Sequence, residues 1–361
     1  MAGIPTKPIE IGNREIGAAF PPFVIAEMSG NHNQSLEQAI KIVDAASDAG
    51  ADALKLQTYT PDTMTLDLDE GDFFIANPKS LWKGKSLYQL YREAHTPWEW
   101  HKPIFDRCRE RGLLYVSTPF DASAVDFLCE LEVPFFKIAS FENTDLPLIR
   151  RVAATGKPLV ISCGMATLAE LEETVGAART AGCDDLILLK CTSSYPASPE
   201  YSNLRTIPHL RELFHTEVGL SDHTLGIGVS LAAIALGAAV IEKHFTLDRS
   251  QGGVDSAFSL DPHELKALVQ EAKRVWQSLG EVHYGLTTEE TASRAFRRTI
   301  YVTENVKTGD SFTAKNLRCI RPGSGLPPKH YESLLGKKAN CDLRRGTPMR
   351  LEFVDFRESG I

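Results

Sequence analysis

Residues 217–244, EVGLSDHTLGIGVSLAAIALGAAVIEKH, contain one complete strand–helix–strand repeat. The run Glu217–Ser221 is short and apolar, which is typical of a buried strand, and Ala239–Lys243 predicts a second strand of the same kind. The apolar stretch between them is interrupted at Gly237, where a glycine that ends a helix is expected. A strand, a helix and another strand in succession indicate parallel strands joined by a right-handed crossover.

The same pattern is found along most of the chain. Six further strands are predicted at Phe23–Glu27, Ala53–Thr58, Leu113–Ser117, Phe135–Ala139, Leu159–Ser162 and Leu186–Lys190. Segments with apolar residues at every third or fourth position lie between them, as in amphipathic helices. Eight strand–helix units over about 250 residues predict an α/β fold of the (β/α)8 TIM-barrel type. An open doubly wound sheet is the alternative, although no GxGxxG motif follows the first strand.

The connection Thr60–Pro97 is longer than an ordinary strand–helix loop. It carries the aromatic residues Trp82, Tyr88 and Tyr91. We expect this segment to form a lid over the barrel or a contact in a dimer.

The alternating pattern ends after about Tyr284. Shorter strand-like pieces follow at Thr299–Val302, at Arg318–Ile320 and around Met349–Phe353. Residues 291–361 hold 14 Lys and Arg against 7 Asp and Glu, a net charge of +7, whereas the whole chain carries −8. We therefore predict a catalytic domain at residues 1–285, a linker at 286–293 and a small, basic, β-rich domain at 294–361.

The composition is that of a globular protein, with 43% hydrophobic and 24% charged residues among 361. A net charge of −8 argues against a general nucleic-acid partner. No apolar run reaches the roughly 20 residues of a membrane span, and no secretory signal begins the chain, so we expect no membrane partner. The seven cysteines are scattered without a CxxC pair, which fits a reducing, cytoplasmic location.

Polar side chains collect at the carboxyl ends of the predicted strands, where a TIM barrel holds its active site. Lys55, Lys137, Lys190 and Lys243 lie on strands that should be buried. Burying a lysine is costly unless the charge is paired or functional. Lysines that converge with serines would form a phosphate or carboxylate site. For any single position, a surface lysine at a strand end is the alternative.

Two histidines and three carboxylates are further candidates. His223 and His244 end adjacent strands, and two imidazoles with waters or carboxylates can hold a divalent metal. Hydrogen-bonded structural histidines are the alternative. Glu27, Glu142 and Asp255 could perform acid–base work near the same point, or they could simply form ion pairs with the lysines.

Several of these segments resemble, in the same order, the sialic acid synthases. They are FVIAEMSGNHN, ALKLQTY, VSTPFD, FKIASFEN, ISCGMAT, LLKCTSSYP, GLSDHT, IEKHFTLDRSQGGVDSAFSL and RPGSGLPP. The resemblance extends from about Phe23 to Phe356. AEMSGNHN, LYREAHTPWEWH, KCTSSYPA and GGVDSAFSL are similar, more narrowly, to the pseudaminic acid synthase branch.

The resemblance implies condensation of phosphoenolpyruvate with an acylamino sugar and water, with C–O cleavage and release of phosphate. For this branch the implied sugar is 2,4-diacetamido-2,4,6-trideoxy-L-altrose and the product is pseudaminic acid. It also implies a divalent cofactor, Mn²⁺ or Mg²⁺, an antifreeze-like (SAF) C-terminal domain and a homodimer in which that domain covers the partner's barrel mouth. A sialic or legionaminic acid synthase, a Schiff-base pyruvate aldolase using Lys137 or Lys190, and a non-catalytic binding protein are the alternatives.

The family's functional positions transfer to this sequence by the same resemblance. Those implied for phosphoenolpyruvate are Lys55, Lys137, Ser140, Ser162, Ser193 and Ser221. Those implied for the sugar are Glu27, Gln57, Thr118, Tyr195 and Asp255. Arg321 matches the family arginine that reaches across the dimer to the sugar site of the other subunit. The implied metal ligands are His223 and His244, and the implied catalytic residues are Glu142, Glu27 and Lys137. Ser193 stands near a position that is Asn in sialic acid synthases, so the resemblance does not fix its role. The residues after Asp255 also differ from those of sialic acid synthases, which indicates a different sugar.

Overall fold

The structure is a computed structural model that describes residues 7–78 and 80–356. The chain divides into two compact units, Met1–Gly280 and Glu281–Ile361. This division lies a few residues before the domain end predicted at residue 285.

The larger unit begins with an antiparallel hairpin of β1 (Ile9–Ile11) and β2 (Arg14–Ile16). Eight parallel strands follow: β3 (Phe23–Glu27), β4 (Ala53–Thr58), β5 (Leu114–Pro119), β6 (Phe136–Ile138), β7 (Leu159–Ser162), β8 (Leu186–Cys191), β9 (Glu217–Asp222) and β10 (Val240–His244). Their order is β5-β4-β3-β10-β9-β8-β7-β6, and β5 packs beside β6. Because the last strand pairs with the first and the two ends of the order also meet, the sheet forms the predicted TIM barrel and the open sheet is excluded.

β3, β4 and β7 have the predicted ends, and the other five barrel strands differ from the predicted ones by one or two residues at an end. β5 runs to Pro119 rather than Ser117, and β6 is shorter than expected at both ends. Hydrophobic pattern identifies the buried centre of a strand, whereas its ends depend on the pairing with neighbours.

Helices surround the barrel. They are α1 (Leu36–Ala49), α2 (Pro61–Met64), α3 (Leu87–Ala94), α4 (Trp98–Glu110), α5 (Ala122–Glu130), α6 (Leu146–Ala153), α7 (Leu168–Thr180), α8 (Thr206–Phe214), α9 (Gly228–Ala235) and α10 (Pro262–Leu279). Local sequence fixes their ends: the Ser35 hydroxyl accepts a hydrogen bond from Gln38 N, and α1 stops at Gly50, whose φ of 86° suits glycine. Their apolar faces pack on the outside of the sheet and form the main core.

The interior of the barrel is apolar near the amino ends of the strands and polar near their carboxyl ends. On β3, alternate residues Phe23, Ile25 and Glu27 share one face. Phe23 and Ile25 belong to an apolar cluster that also contains Ile11 and Ile16 of the hairpin. Glu27 lies one step further, at the carboxyl end of the strand. The hairpin cluster therefore closes one end of the barrel, and the polar residues face the other.

The smaller unit has its own hydrophobic core and short antiparallel pairs. β11 (Thr299–Val302) pairs with β12 (Leu317–Ile320), and β13 (Lys338–Ala339) with β14 (Val354–Asp355); α11 (Tyr331–Leu334) lies between the pairs in sequence. The strand expected around Met349–Phe353 is displaced, since residues 351–353 form a 3-10 turn. Met349 itself is fully buried in the core of this unit, which explains the strand-like apolar signal there.

None of the helices in the described part of the chain has the length and apolar character needed to cross a membrane. All seven cysteines, which lie within the described residues, have free thiols.

Candidate active site

A cavity of about 430 Å³ opens at the carboxyl ends of the barrel strands, a volume within the usual range for small-molecule sites. Nearly all the residues predicted for the site line it: Glu27, Lys55, Gln57, Lys137, Ser140, Glu142, Ser162, Ser193, Tyr195, Ser221, His223, His244 and Asp255. Strand alternation explains the convergence of those on strands, such as Glu27, Lys55 and His244, and the others lie in the loops and turns that follow the strands.

Two predicted sugar-site residues lie elsewhere. Thr118 is fully buried and does not line the cavity; its hydroxyl accepts a hydrogen bond from Lys55 Nζ at 3.3 Å. Its place is therefore beneath the floor, supporting a lysine. Arg321 belongs to the smaller unit and is exposed. No arginine is found among the described residues that line the cavity.

Two lysines and two glutamates form the charged floor. Lys55 Nζ lies 2.8 Å from Glu27 Oε2 and 3.7 Å from Glu242 Oε1, and Lys137 Nζ lies 3.8 Å from Glu242 Oε2. All four side chains are almost completely buried. Burial would lower the pKa of Lys55, but Glu242 and Glu27 together raise it above its ordinary value. For Lys137 burial prevails and its pKa is lowered, so this amine gains most from a bound anion.

The serines extend from Lys137 around one side of the floor. Lys137 Nζ donates to Ser162 Oγ at 2.6 Å, and Gly164 N donates to Ser140 Oγ at 3.1 Å. A Cβ on Gly164 would lie 2.3 Å from Ser193 Oγ and 2.6 Å from Ser140 Oγ, so a side chain at this position would displace both hydroxyls. The hydroxyls and the buried ammonium thus form a compact donor set suited to phosphate or carboxylate oxygens.

Glu142 lies at the edge of this donor set, at the end of a 3-10 turn that follows β6. Burial raises the pKa of its carboxyl from 4.5 to about 7, despite the opposing effect of Lys137. Its Oε2 is buried and finds no hydrogen-bond partner within the described chain. A carboxylate that titrates near neutrality and faces a cavity is suited to accept a proton from a bound molecule.

His223 and His244 are neighbours, with ring centroids 5.3 Å apart. Burial lowers the pKa of His244 well below its ordinary value, and its buried Nδ1 has no hydrogen-bond partner among the described residues, the nearest carboxylate oxygen being Asp255 Oδ2 at 3.7 Å. His223 Nδ1 is 3.1 Å from the carbonyl oxygen of Thr192, which leaves Nε2 available. Neutral imidazoles with unused nitrogens fit a divalent cation. Residues 7–78 and 80–356 contain no group of three or more His, Cys, Asp or Glu side chains placed to hold a metal ion.

The insertion between β4 and α4 forms an apolar wall of the cavity. Its contributors include Met64, Ile75, Trp82, Leu87, Leu90 and Tyr91. Trp82 Nε1 donates to the carbonyl oxygen of Val254 at 3.0 Å, and its ring lies 6.1 Å from that of Tyr195. One long segment therefore supplies an apolar surface opposite the charged floor, consistent with the covering role expected of Thr60–Pro97.

Sequence reasoning assigned no role to two polar residues of the floor. Glu242 pairs with both lysines and accepts a hydrogen bond from Ser221 Oγ at 3.3 Å. The available signal was strand alternation, which places Glu242 on the same face as His244. Ser29 also lines the cavity.

The other two lysines lie outside the cavity. Lys243 is fully buried, 3.2 Å from Asp222 Oδ2. Asp222 also accepts hydrogen bonds from Thr224 N at 2.8 Å and Ser230 Oγ at 2.7 Å. Because His223 lies between Asp222 and Thr224, this buried network fixes the backbone that carries the imidazole.

Comparison with known proteins gives concordant results for both units. The sequence model of the NeuB family matches residues 42–284, and that of the SAF domain matches residues 297–354. A pseudaminic acid synthase of Campylobacter jejuni is 44% identical over 91% of this chain and 95% of its own length. One from Helicobacter pylori is 40% identical over 93% and 98%. Among solved structures, N-acetylneuraminic acid synthetase from Leptospira borgpetersenii superposes with a TM-score of 0.71 at 32% identity, covering 80% of this chain and 95% of that one.

Proposed function

We propose, on the premise that this chain belongs to the NeuB family, that it is a pseudaminic acid synthase. It condenses phosphoenolpyruvate, 2,4-diacetamido-2,4,6-trideoxy-L-altrose and water into pseudaminic acid and phosphate. The relatives named above support this assignment. The observation that carries it is a single cavity with a floor of buried lysines and serines and an apolar wall opposite.

Phosphoenolpyruvate is assigned to the donor set around Lys137. Its phosphate and carboxylate oxygens accept hydrogen bonds from Lys137, Ser140 and Ser162, and from Ser193 and Ser221 nearby. A bound anion would compensate Lys137 for the desolvation that lowers its pKa. Lys55 is already paired with Glu27 and Glu242, so its main contribution is to hold the floor together.

A divalent cation is assigned to His223 and His244, with Asp255 as the adjacent carboxylate. When bound, such an ion would supply Lewis-acid polarisation of the aldehyde oxygen of the open-chain sugar. Mn²⁺ and Mg²⁺ are the candidates. Solvent and substrate oxygens would complete the coordination, because the described chain contains no group of three or more His, Cys, Asp or Glu side chains that could hold a metal ion.

Bond formation then joins C3 of phosphoenolpyruvate to the aldehyde carbon of the sugar. Water adds to C2 as positive charge develops there, and Glu142 accepts its proton. That proton passes on to the aldehyde oxygen, which becomes a hydroxyl group. The C–O bond to phosphate then breaks, phosphate leaves with the bonding electrons, and it takes up the remaining hydroxyl proton as the C2 ketone forms. The unpartnered Oε2 of Glu142 and its pKa of about 7 support this role as general base.

The apolar wall favours a sugar substrate that lacks some hydroxyl groups and carries two acetamido groups. The methyl group at C6 and the acetamido methyl groups can be buried against Trp82, whereas the hydroxyl groups of N-acetylmannosamine would lose water there without regaining partners. Trp82→Ala should therefore raise KM for the sugar by about tenfold or more, with KM for phosphoenolpyruvate unchanged. Leu81→Ala is the matched control, because the neighbouring Leu81 is 51% exposed. An equal rise in both variants would contradict the assignment.

A homodimer is proposed for the contribution of Arg321. The smaller domain is basic, with a net charge of +7 over residues 291–361, and the barrel cavity has no arginine among its described lining residues. An arginine delivered by a partner subunit would supply a charged donor to the sugar. The protein is further proposed to act in the cytoplasm.

A phosphate-release assay tests the function directly. Purified enzyme with Mn²⁺ and phosphoenolpyruvate is offered the diacetamido-trideoxy hexoses of different stereochemistry and N-acetylmannosamine. We expect the highest kcat/KM with the L-altro sugar. Preference for N-acetylmannosamine or for the legionaminic acid precursor would assign a different synthase. Trapping of a pyruvate adduct by borohydride, without phosphate release, would instead establish a Schiff-base aldolase.

A further inference from the structure

Ser29 has a backbone conformation that a serine rarely adopts. It follows β3 and begins the 3-10 turn Ser29–His32, with φ at 47°. In this left-handed region a residue with a Cβ is disfavoured, and glycine carries no such penalty. Strained residues persist where the surroundings hold them, and they concentrate at functional sites.

The hydroxyl of Ser29 connects two parts of the cavity floor. Its Oγ donates to Asp255 Oδ2 and accepts a hydrogen bond from Gln57 Nε2 at 3.0 Å. Gln57 Nε2 also donates to Glu27 Oε1 at 2.9 Å. Ser29 is 3% exposed and lines the cavity. It is therefore the link between the Glu27–Gln57 pair on one side and Asp255 on the other.

Besides the Ser29 hydroxyl, the Asp255 carboxylate accepts a hydrogen bond from the backbone N–H of Gly30. It lies in the loop between β10 and α10, beside the 3-10 turn Ser256–Phe258. Its Oδ2 is also 3.7 Å from His244 Nδ1. With this left-handed backbone, the short side chain of Ser29 places its hydroxyl beside Asp255 Oδ2. Glycine would relieve the backbone but would leave the carboxylate and the amide of Gln57 without their common partner.

We propose that Ser29 is a positioning residue for sugar selection, which orients Asp255 and Gln57 toward the hydroxyl and acetamido groups of the sugar. This inference rests on the proposed function. It assigns a role in sugar selection to the loop after β3, and this role is separate from the binding of phosphoenolpyruvate and the release of phosphate. The strained backbone is retained because it places the hydroxyl between these two side chains.

Paired variants separate this role from a structural one. In Ser29→Gly we expect the thermal midpoint to be unchanged or higher, because the strain is relieved. KM for the sugar should rise by about tenfold or more, as expected for loss of a hydrogen bond to a charged group, while KM for phosphoenolpyruvate stays within about twofold. Ser29→Thr keeps the hydroxyl on a less favourable backbone. It should lower the midpoint but keep KM for the sugar within about threefold of wild type.

Glu132→Gly is the control for backbone relief, since Glu132 is an exposed residue with φ at 55° outside the cavity. It should leave both KM values unchanged. The proposal is overturned if Ser29→Gly leaves KM for the sugar unchanged, if both KM values rise together, or if Ser29→Thr loses sugar affinity to the same extent as Ser29→Gly. Wild-type turnover of the L-altro sugar, measured first, tests the proposed function separately, so active wild type with an unaffected Ser29→Gly refutes only the role of Ser29.

Discussion

Glu142→Gln should inactivate the enzyme and at the same time stabilise it at alkaline pH. Burial raises the pKa of this carboxyl from 4.5 to about 7, so the folded protein binds its proton more tightly than the unfolded chain does. Between these two pKa values the folded state therefore holds more protons, and its stability falls as pH rises. Glutamine has nearly the same shape and cannot ionise, so it removes this dependence.

The size of the effect follows from the shift. A folded pKa of about 7 against an unfolded value of 4.5 corresponds to a loss of about 2–3 kcal/mol of wild-type stability between pH 5 and pH 8. The variant should match wild type near pH 5 and exceed it by about 2–3 kcal/mol at pH 8. Urea unfolding at both pH values measures the difference, with equal m-values as the control for two-state behaviour.

The same group sets the activity profile if it accepts the proton of the attacking water. With a pKa near 7, about a tenth of wild-type sites are ionised at pH 6 and about nine tenths at pH 8, which gives a rise in kcat/KM of about tenfold. Glu142→Gln should lose most activity and should not show this rise in its residual rate. The reasoning is refuted if the residual rate keeps the same rise, or if the stability difference from wild type is independent of pH.

Three further changes test other parts of the site. His244→Ala should abolish Mn²⁺-dependent turnover and weaken Mn²⁺ binding by calorimetry; full activity of this variant after chelation would contradict the metal assignment. Lys55→Met should destabilise the fold by about 3–5 kcal/mol in urea unfolding, because Glu27 is left buried beside a second carboxylate, and adding Glu27→Gln should recover part of that loss. Co-expression of Arg321→Ala with Glu142→Gln should recover about a quarter of wild-type activity by random pairing, since each mixed dimer has one complete site; no recovery would refute a contribution across subunits.

The barrel was predictable because each strand–helix unit carries a local signal. A buried strand appears as a short apolar run, and the glycines Gly50 and Gly237 mark the ends of the helices that precede them. The position of polar residues after each apolar run then places Lys55 and His244 at the same end of the barrel, which the structure confirms. None of this requires knowledge of contacts between distant residues.

Features that depend on packing between distant segments were not predictable in this way. Thr118 lies on the predicted strand, but its side chain is beneath Lys55. Strand alternation predicts the face on which a side chain lies and does not predict its depth below the cavity. Glu242 was assigned no role, yet it lies near Lys55 and Lys137 inside the barrel, whereas the neighbouring Lys243 pairs with Asp222 on the opposite side of the sheet. The apolar wall around Trp82 could be suspected from the length of its segment, but its orientation toward the cavity depends on tertiary contacts such as that with Val254.

The floor of the cavity comes from the ends of many separate strands, whereas most of the opposing wall belongs to the single stretch 61–94. Changes in that stretch would alter the surface proposed to contact the sugar and would leave the lysines, serines and histidines in place. Sugar specificity could therefore change through substitutions in one contiguous segment of the sequence, while the residues proposed for catalysis stay the same.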